Sequence, residues 1–351
     1  MNEQNIIDQL YESSDDGFSE EKRPAAIVCG SLITESVNDC LESAAKLPNP
    51  KPLFDVFWAE GEIACLFAST NVGKSLLAVQ IGKTIAEERG LNVLYVDFEL
   101  DKKQFQQRYS DEHGHLFKFP SGFFRSYSDY QQTGQMVTPE TILIDIAESA
   151  KHNSCSVVII DNLTWICGNS EKAAEAAEFM KRLVELKMKM NLSVLVIAHT
   201  PKRDGESLLA WTDLAGSSQL ANFFDSIFAL GKSVREGGEN VRYLKQIKVR
   251  NAAAVYTTDN VLALRIVKKS QMVEMEKFGT YSERAFLKAD KNEERNNAIF
   301  DLQAAGKPIR SIAEEISQQY GHISKSAVQK ILKNGQKVDK SGQGGQGGQS
   351  V

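Results

Sequence analysis

Four short apolar runs, GEIACLFA, NVLYVDFE, CSVVIID and LSVLVIAH, lie between residues 61 and 199, each rich in β-branched side chains and bounded by polar or turn-forming residues. Between them stand longer stretches of helical period, KSLLAVQIGKTIAEER, PETILIDIAESAKH and AEAAEFMKRLVELKMKM. Strands that are apolar on both faces and alternate with helices predict a parallel sheet covered on both sides, an α/β fold. The pattern continues through SIFALGK, YLKQIKVR and LALRIVKK, which sets one domain at residues 25–270. Alternation then weakens, so 271–291 reads as a linker. Residues 292–335 return to helical spacing. Ile309, Ile312, Ala313 and Ile316 mark one helix, Ala327, Val328, Ile331 and Leu332 another, and Ile299 and Leu302 belong to a supporting one. Gly321 breaks the first and Ser324 is a ready N-cap for the second, which predicts a small all-α, helix-turn-helix-like module.

Both ends of the chain differ in character. Residues 1–23 carry seven acidic and two basic side chains, so 1–24 reads as an acidic flexible leader. The Gly/Gln-rich stretch 336–351 reads as a disordered tail. The 351 residues are 42% apolar and 25% charged, ordinary values for a globular protein. No apolar run approaches the roughly 20 residues that span a bilayer, and the acidic start lacks the basic and apolar parts of a secretory signal. A cytoplasmic protein without a membrane partner is the expectation. Cys29, Cys40, Cys65, Cys155 and Cys167 are scattered without C-x-x-C spacing, which argues against a disulfide framework or a zinc site; Cys65 and Cys155 read as buried thiols. The net charge of −5 excludes an indiscriminate polyanion binder but not a local basic patch.

The chemistry sits at the first strand-to-helix turn. ASTNVGKS, residues 68–75, follows G-x-x-x-x-G-K-[ST] with Ala68 in place of the first glycine. Helix-end amides favour phosphate there, so Ala68, Ser69, Thr70, Asn71, Val72, Gly73, Lys74 and Ser75 form a candidate phosphate loop. Gly73 permits the turn, Lys74 would reach the β/γ-phosphates and Ser75 would hold Mg²⁺. Ala68 suits its position if the backbone there has negative φ. Asp161, ending SVVIID, is the second candidate for the magnesium shell. A water-orienting carboxylate is sought in VLYVDFEL, where alternation alone does not choose between Asp97 and Glu99.

The order GEIACLFASTNVGKS, VLYVDFEL, SVVIIDNL, LSVLVIAHTPKR, LAGSSQLANFFDSI and LKQIKVRNA resembles the RecA-type ATPases, and among them the RepA/DnaB-like hexameric helicase group with its AAA-type ATPase domain. The resemblance covers roughly residues 50 to 270. It implies a RecA-like core, ATP and Mg²⁺ as cofactors, and Glu99 as the catalytic glutamate, followed by a helix carrying Phe105 and Arg108. It also implies His199 as a γ-phosphate sensor, and Lys248 and Arg250 as cations reaching a neighbouring subunit's nucleotide, hence a homo-oligomer, hexameric ring or filament. DNA-facing loops would fall at 200–219, where Lys202 and Arg203 are phosphate contacts and Trp211 a stacking group. In the carboxyl-terminal module, Lys325, Ser326, Gln329, Lys330 and Lys333 share an outer face suited to DNA.

These readings converge on an ATP-hydrolysing motor or switch acting on DNA, in replication or transfer of a mobile element. A nucleotide-regulated DNA-binding regulator and an ATP-dependent scaffold are the alternatives, and the helical module reads equally as a packing or oligomerisation unit.

Overall fold

The computed structural model describes residues 26–138, 141–162, 173–200, 207–214, 218–250, 252–287 and 291–341. The leader 1–24 and residues 342–351 of the tail lie outside them. Residues 26–51 belong to a compact unit of their own. In it, strands β1 (Ile27–Cys29) and β2 (Leu32–Thr34) form a hairpin, and the helix Val37–Ala44 starts at Ser36, whose hydroxyl accepts from the Asp39 amide at 3.1 Å.

The second unit begins at Pro52. A small hairpin, β3 (Pro52–Phe54) and β4 (Trp58–Ala59), precedes a nine-stranded sheet. Its strands are β5 (Ile63–Ala68), β6 (Val93–Asp97), β7 (Phe123–Tyr127), β8 (Val157–Asp161), β9 (Ser193–His199), β10 (Ser226–Lys232), β11 (Val241–Val249), β12 (Val261–Lys269) and β13 (Met272–Tyr281). Across the sheet the order is β13-β12-β11-β10-β5-β9-β8-β6-β7. From β10 to β7 every neighbour is parallel, and β11, β12 and β13 add antiparallel. This is the expected α/β class with a mainly parallel sheet.

Alternation along each strand explains how both faces are buried. In β5, Ile63, Cys65 and Phe67 join the core under helices Ile142–His152 and Ala173–Met190, whereas Ala64, Leu66 and Ala68 join the core under helix Lys74–Arg89. Val158 and Ile160 of β8 face the first core, Val157 and Ile159 the second. Each Val, Leu, Ile or Phe among them contributes roughly 1.5–3 kcal/mol on burial. Helix Lys74–Arg89 lies so close to the sheet that a Cβ on Gly82 would meet Phe123 at 2.4 Å. Cys65 and Cys155 are buried free thiols, as expected, and burial pushes both thiol pKa values up, Cys155 to about 11. Cys167 lies outside the described residues.

Three boundaries move, the first being the start of the sheet-bearing unit, at Pro52 and not at 25. Residues 271–291, expected to be a linker, contain β13, which pairs with β12 along its full length. Only Met272 and Met275 of this strand are buried, three apart, so no period-two pattern announces it. Its outer backbone is taken up by Gln80, which donates to the Met275 carbonyl at 3.0 Å and accepts from the Met275 amide at 2.8 Å. At the other end, the last helix, Lys325–Ser341, runs into the stretch read as tail.

Helices Lys291–Ala304, Ile309–Tyr320 and Lys325–Ser341 pack around a separate core of Ile299, Ile312, Ala313, Ile316, Ile323 and Val328. Gly321, at φ 92°, ends the middle helix, and Ser324 accepts from the Ala327 amide at 3.2 Å to start the next. Ser317 closes the turn between them by accepting from the Ile323 amide at 3.0 Å. Lys325, Ser326, Gln329, Lys330 and Lys333 are exposed. Among the described residues no helix is long and apolar enough to cross a membrane.

Candidate active site

The phosphate loop joins the carboxyl end of β5 to helix Lys74–Arg89. Ala68 is the last, fully buried residue of β5, paired with His199 of β9 in ordinary extended backbone, so the freedom of a glycine is not needed there. Ser69 meets the Thr200 hydroxyl at 3.0 Å, Thr70 and Asn71 are exposed, and Val72 is buried. Gly73 is needed: its φ is 110°, and a Cβ would lie 2.6 Å from Cε of Met275. Arg242, at the start of β11, holds the loop from behind through Nε to the Val72 carbonyl at 2.7 Å. This support has no local signature in the sequence, because it arises when an antiparallel strand returns to the loop.

Lys74 is buried, with Nζ 3.0 Å from the Ala68 carbonyl, 3.1 Å from the Ser69 carbonyl and 3.1 Å from Nδ1 of His199. Burial lowers its pKa, and the Asp161 and Glu99 carboxylates oppose that shift. Nε2 of the same ring lies 3.0 Å from the Asn162 side-chain amide nitrogen and 3.3 Å from Glu99 Oε1. The Asn162 amide also donates to Glu99 Oε1. The hydrogen bond from His199 holds the Glu99 carboxyl below its ordinary range; partial burial opposes this, and Asn162 and Lys74 reinforce it. Glu99 is therefore ionised at neutral pH.

Asp97, the competing carboxylate, has both oxygens taken. Oδ1 accepts the amides of Glu99 (2.9 Å) and Leu100 (3.0 Å), and Oδ2 accepts from Arg125 at 3.0 Å. Asp161 ends β8 with Oδ2 accepting from the Tyr95 hydroxyl at 2.7 Å. Its Oδ1 is buried without a hydrogen-bond partner. Burial pushes the Asp161 pKa up to about 6, opposed by the nearby Ser75 hydroxyl and the Tyr95 hydrogen bond and aided by the Glu99 and Asp97 charges. An orphaned buried oxygen beside the Ser75 hydroxyl fits a cation shared with a bound phosphate. Among the described residues no cluster of three or more His, Cys, Asp or Glu could hold a metal by itself.

Loop, Glu99, Asp161 and His199 thus meet at the carboxyl edge of the sheet, joined by Asn162, Tyr95 and Thr200, which the sequence reading passed over. Asn162 directly follows Asp161, and that adjacency was its only signal. Lys248 and Arg250 are not brought there. β11 runs from Arg242, opposite Lys232, to Val249, opposite Ser226, and Ser226 pairs with Ala64 near the start of β5. Both cations therefore lie at the edge away from the loop of their own chain. Lys248 donates to the carbonyls of Ala221 and Phe224, each at 2.8 Å, and Arg250 pairs with Asp225 at 2.9 Å. Lys202 and Arg203 lie outside the described residues; Trp211 is half exposed in a short 3₁₀ turn.

A family model described as an AAA domain matches residues 34–205, the stretch that holds the loop, Glu99, Asp161 and His199. The chain carries a P-loop nucleotide-binding domain. No curated protein matches its sequence. Among solved structures, a KaiC-like protein from the hyperthermophilic archaeon Pyrococcus horikoshii OT3 is similar at 14% identity, covering 62% of this chain and 91% of that one, with a TM-score of 0.47.

Proposed function

We propose that this domain hydrolyses ATP with Mg²⁺ and that the chain uses the cycle as a motor or switch on DNA, in the manner of the RepA/DnaB-like group. The observation that carries the chemistry is the chain Lys74–His199–Glu99, which sets an ionised carboxylate beside the phosphate-gripping lysine while Asp97 is fully occupied. Lys74 would bind the β/γ-phosphates, Glu99 would orient water and take its proton, and His199, touching both, would report the state of the γ-phosphate. Ser75 and Asp161 would hold Mg²⁺, which neutralises charge on the phosphates when bound. Arg250 and Lys248, at the far edge of the sheet, reach a nucleotide only across a subunit contact, so their role as trans-acting cations entails a ring or filament.

The DNA part of the proposal rests on the exposed Lys325, Gln329 and Lys330 of the last helix, with Lys202 and Arg203 as further phosphate contacts. Comparing the full chain with a chain ending at residue 291 tests it. Duplex affinity at fixed salt is expected to fall on truncation by roughly tenfold or more, through lost phosphate contacts, while ATP turnover without DNA persists. Unchanged affinity would assign the three helices to packing, and DNA binding that responds to ATP without turnover would favour the regulator.

A further inference from the structure

We infer that Arg125, on the neighbouring strand β7, is a positioning residue for Glu99; the inference rests on the reading of Glu99 as the hydrolytic base. Arg125 faces Tyr95 in the β6–β7 pairing, which brings its side chain to the turn that follows β6. There its guanidinium grips Asp97 Oδ2 twice, through Nε at 3.0 Å and Nη2 at 2.8 Å, and Nη2 also donates to the Leu100 carbonyl. Asp97 Oδ1 in turn holds the amides of Glu99 and Leu100. The peptide units on both sides of Glu99 are thus tied to one planar group.

The clamp is itself fixed from two sides. The guanidinium carbon sits 4.3 Å from the centre of the Phe105 ring and 4.7 Å from that of Tyr127. The Arg125 side chain is 13% exposed and that of Asp97 1%, so neither charge can be traded for water without leaving the other unpaired. The Glu99 side chain is 36% exposed and is met at one oxygen by Asn162 and, at 3.3 Å, by His199, so the direction from which it reaches them is set by the main chain that Asp97 holds. A lysine carries the charge but not the fork or the flat face that the two rings hold. No hydrogen bond links Arg125 to the phosphate loop among those described, which separates its effect on the base from any effect on nucleotide affinity.

The test uses full-length Arg125→Ala and Arg125→Lys, with thermal melting to confirm folding. Phosphate release is expected to fall in kcat by roughly tenfold or more, with ATP affinity within about twofold of the parent, since about 1 Å of misplacement is enough for such losses. Guanidinium chloride in the tens of millimolar, about the range below denaturation, should restore part of kcat to Arg125→Ala, and equal sodium chloride should not. Unchanged kcat, or kcat and affinity falling together without guanidinium rescue, would overturn the inference. If the parent protein itself releases no phosphate, the hydrolytic reading fails, and Arg125 is then judged by amide hydrogen exchange. The Glu99 backbone amide, which donates to Asp97 Oδ1 in the parent, should exchange faster in Arg125→Ala; if it is unchanged, Arg125 does not position Glu99.

Discussion

Lys74→Ala is expected to abolish ATP binding at concentrations that saturate the parent. The ammonium is buried and satisfied by two loop carbonyls and His199 Nδ1. These neutral acceptors compensate its lost hydration only in part, as the lowered pKa records. A polyphosphate arriving at the amino end of helix Lys74–Arg89 offers a full counter-charge to the same atom. Removing one partner of such a buried, hydrogen-bonded charge pair costs about 2–5 kcal/mol, which is roughly 30-fold to several thousand-fold in affinity. Equilibrium titration with Mg-ATP measures it, with melting curves confirming that the variant is folded. Affinity within a few-fold of the parent would place the phosphates elsewhere.

The second large effect is one of stability. Asp161 has a folded-state pKa of about 6, above the ordinary aspartate value of about 3.9, because burial penalises its charge. A carboxyl whose pKa is raised on folding favours the folded state below the unfolded value, and that advantage disappears as pH rises through the folded one. At pH 8 the nucleotide-free protein therefore carries a penalty on the order of 2–3 kcal/mol. Asp161→Asn should melt several degrees higher than the parent at pH 8, with the gain shrinking as pH falls from about 7 to 4. The same variant should lose the stabilisation that Mg-ATP gives the parent, because the oxygen suited to the cation is gone. Such opposition between stability and function is common where a site holds charge in reserve for a ligand. A variant less stable than the parent at pH 8 would show that Asp161 is retained for its bond to Tyr95.

The legible parts of this chain are those in which a short segment contains its own reason. GEIACLFA followed by Gly-Lys-Ser declares a strand, a turn and a helix at once, and the helix Lys74–Arg89 spans the residues read for it. Asp161 was legible because an apolar strand ends on it. The choice between Asp97 and Glu99 was not, since both follow one strand and only Arg125, 28 residues further on, reveals which is tied down. Lys248 and Arg250 show the same limit. Their shared face follows from alternation, but their place at the edge away from the loop follows from β11 running antiparallel to β10, a fact of topology. Arg242 and β13 escape for the same reason: their meaning lies in contacts with the phosphate loop and helix Lys74–Arg89, 170 and 195 residues earlier.

Phosphate release from Mg-ATP by Glu99→Gln tests directly whether this carboxylate is the hydrolytic base. Glutamine keeps the size of the side chain and can still accept from His199 and Asn162, but it cannot take a proton from water. The expected result is ATP affinity within about twofold of the parent and turnover lower by roughly 10²- to 10⁴-fold, the usual contribution of a general base. Turnover by Glu99→Gln equal to that of the parent would move the base away from this carboxylate.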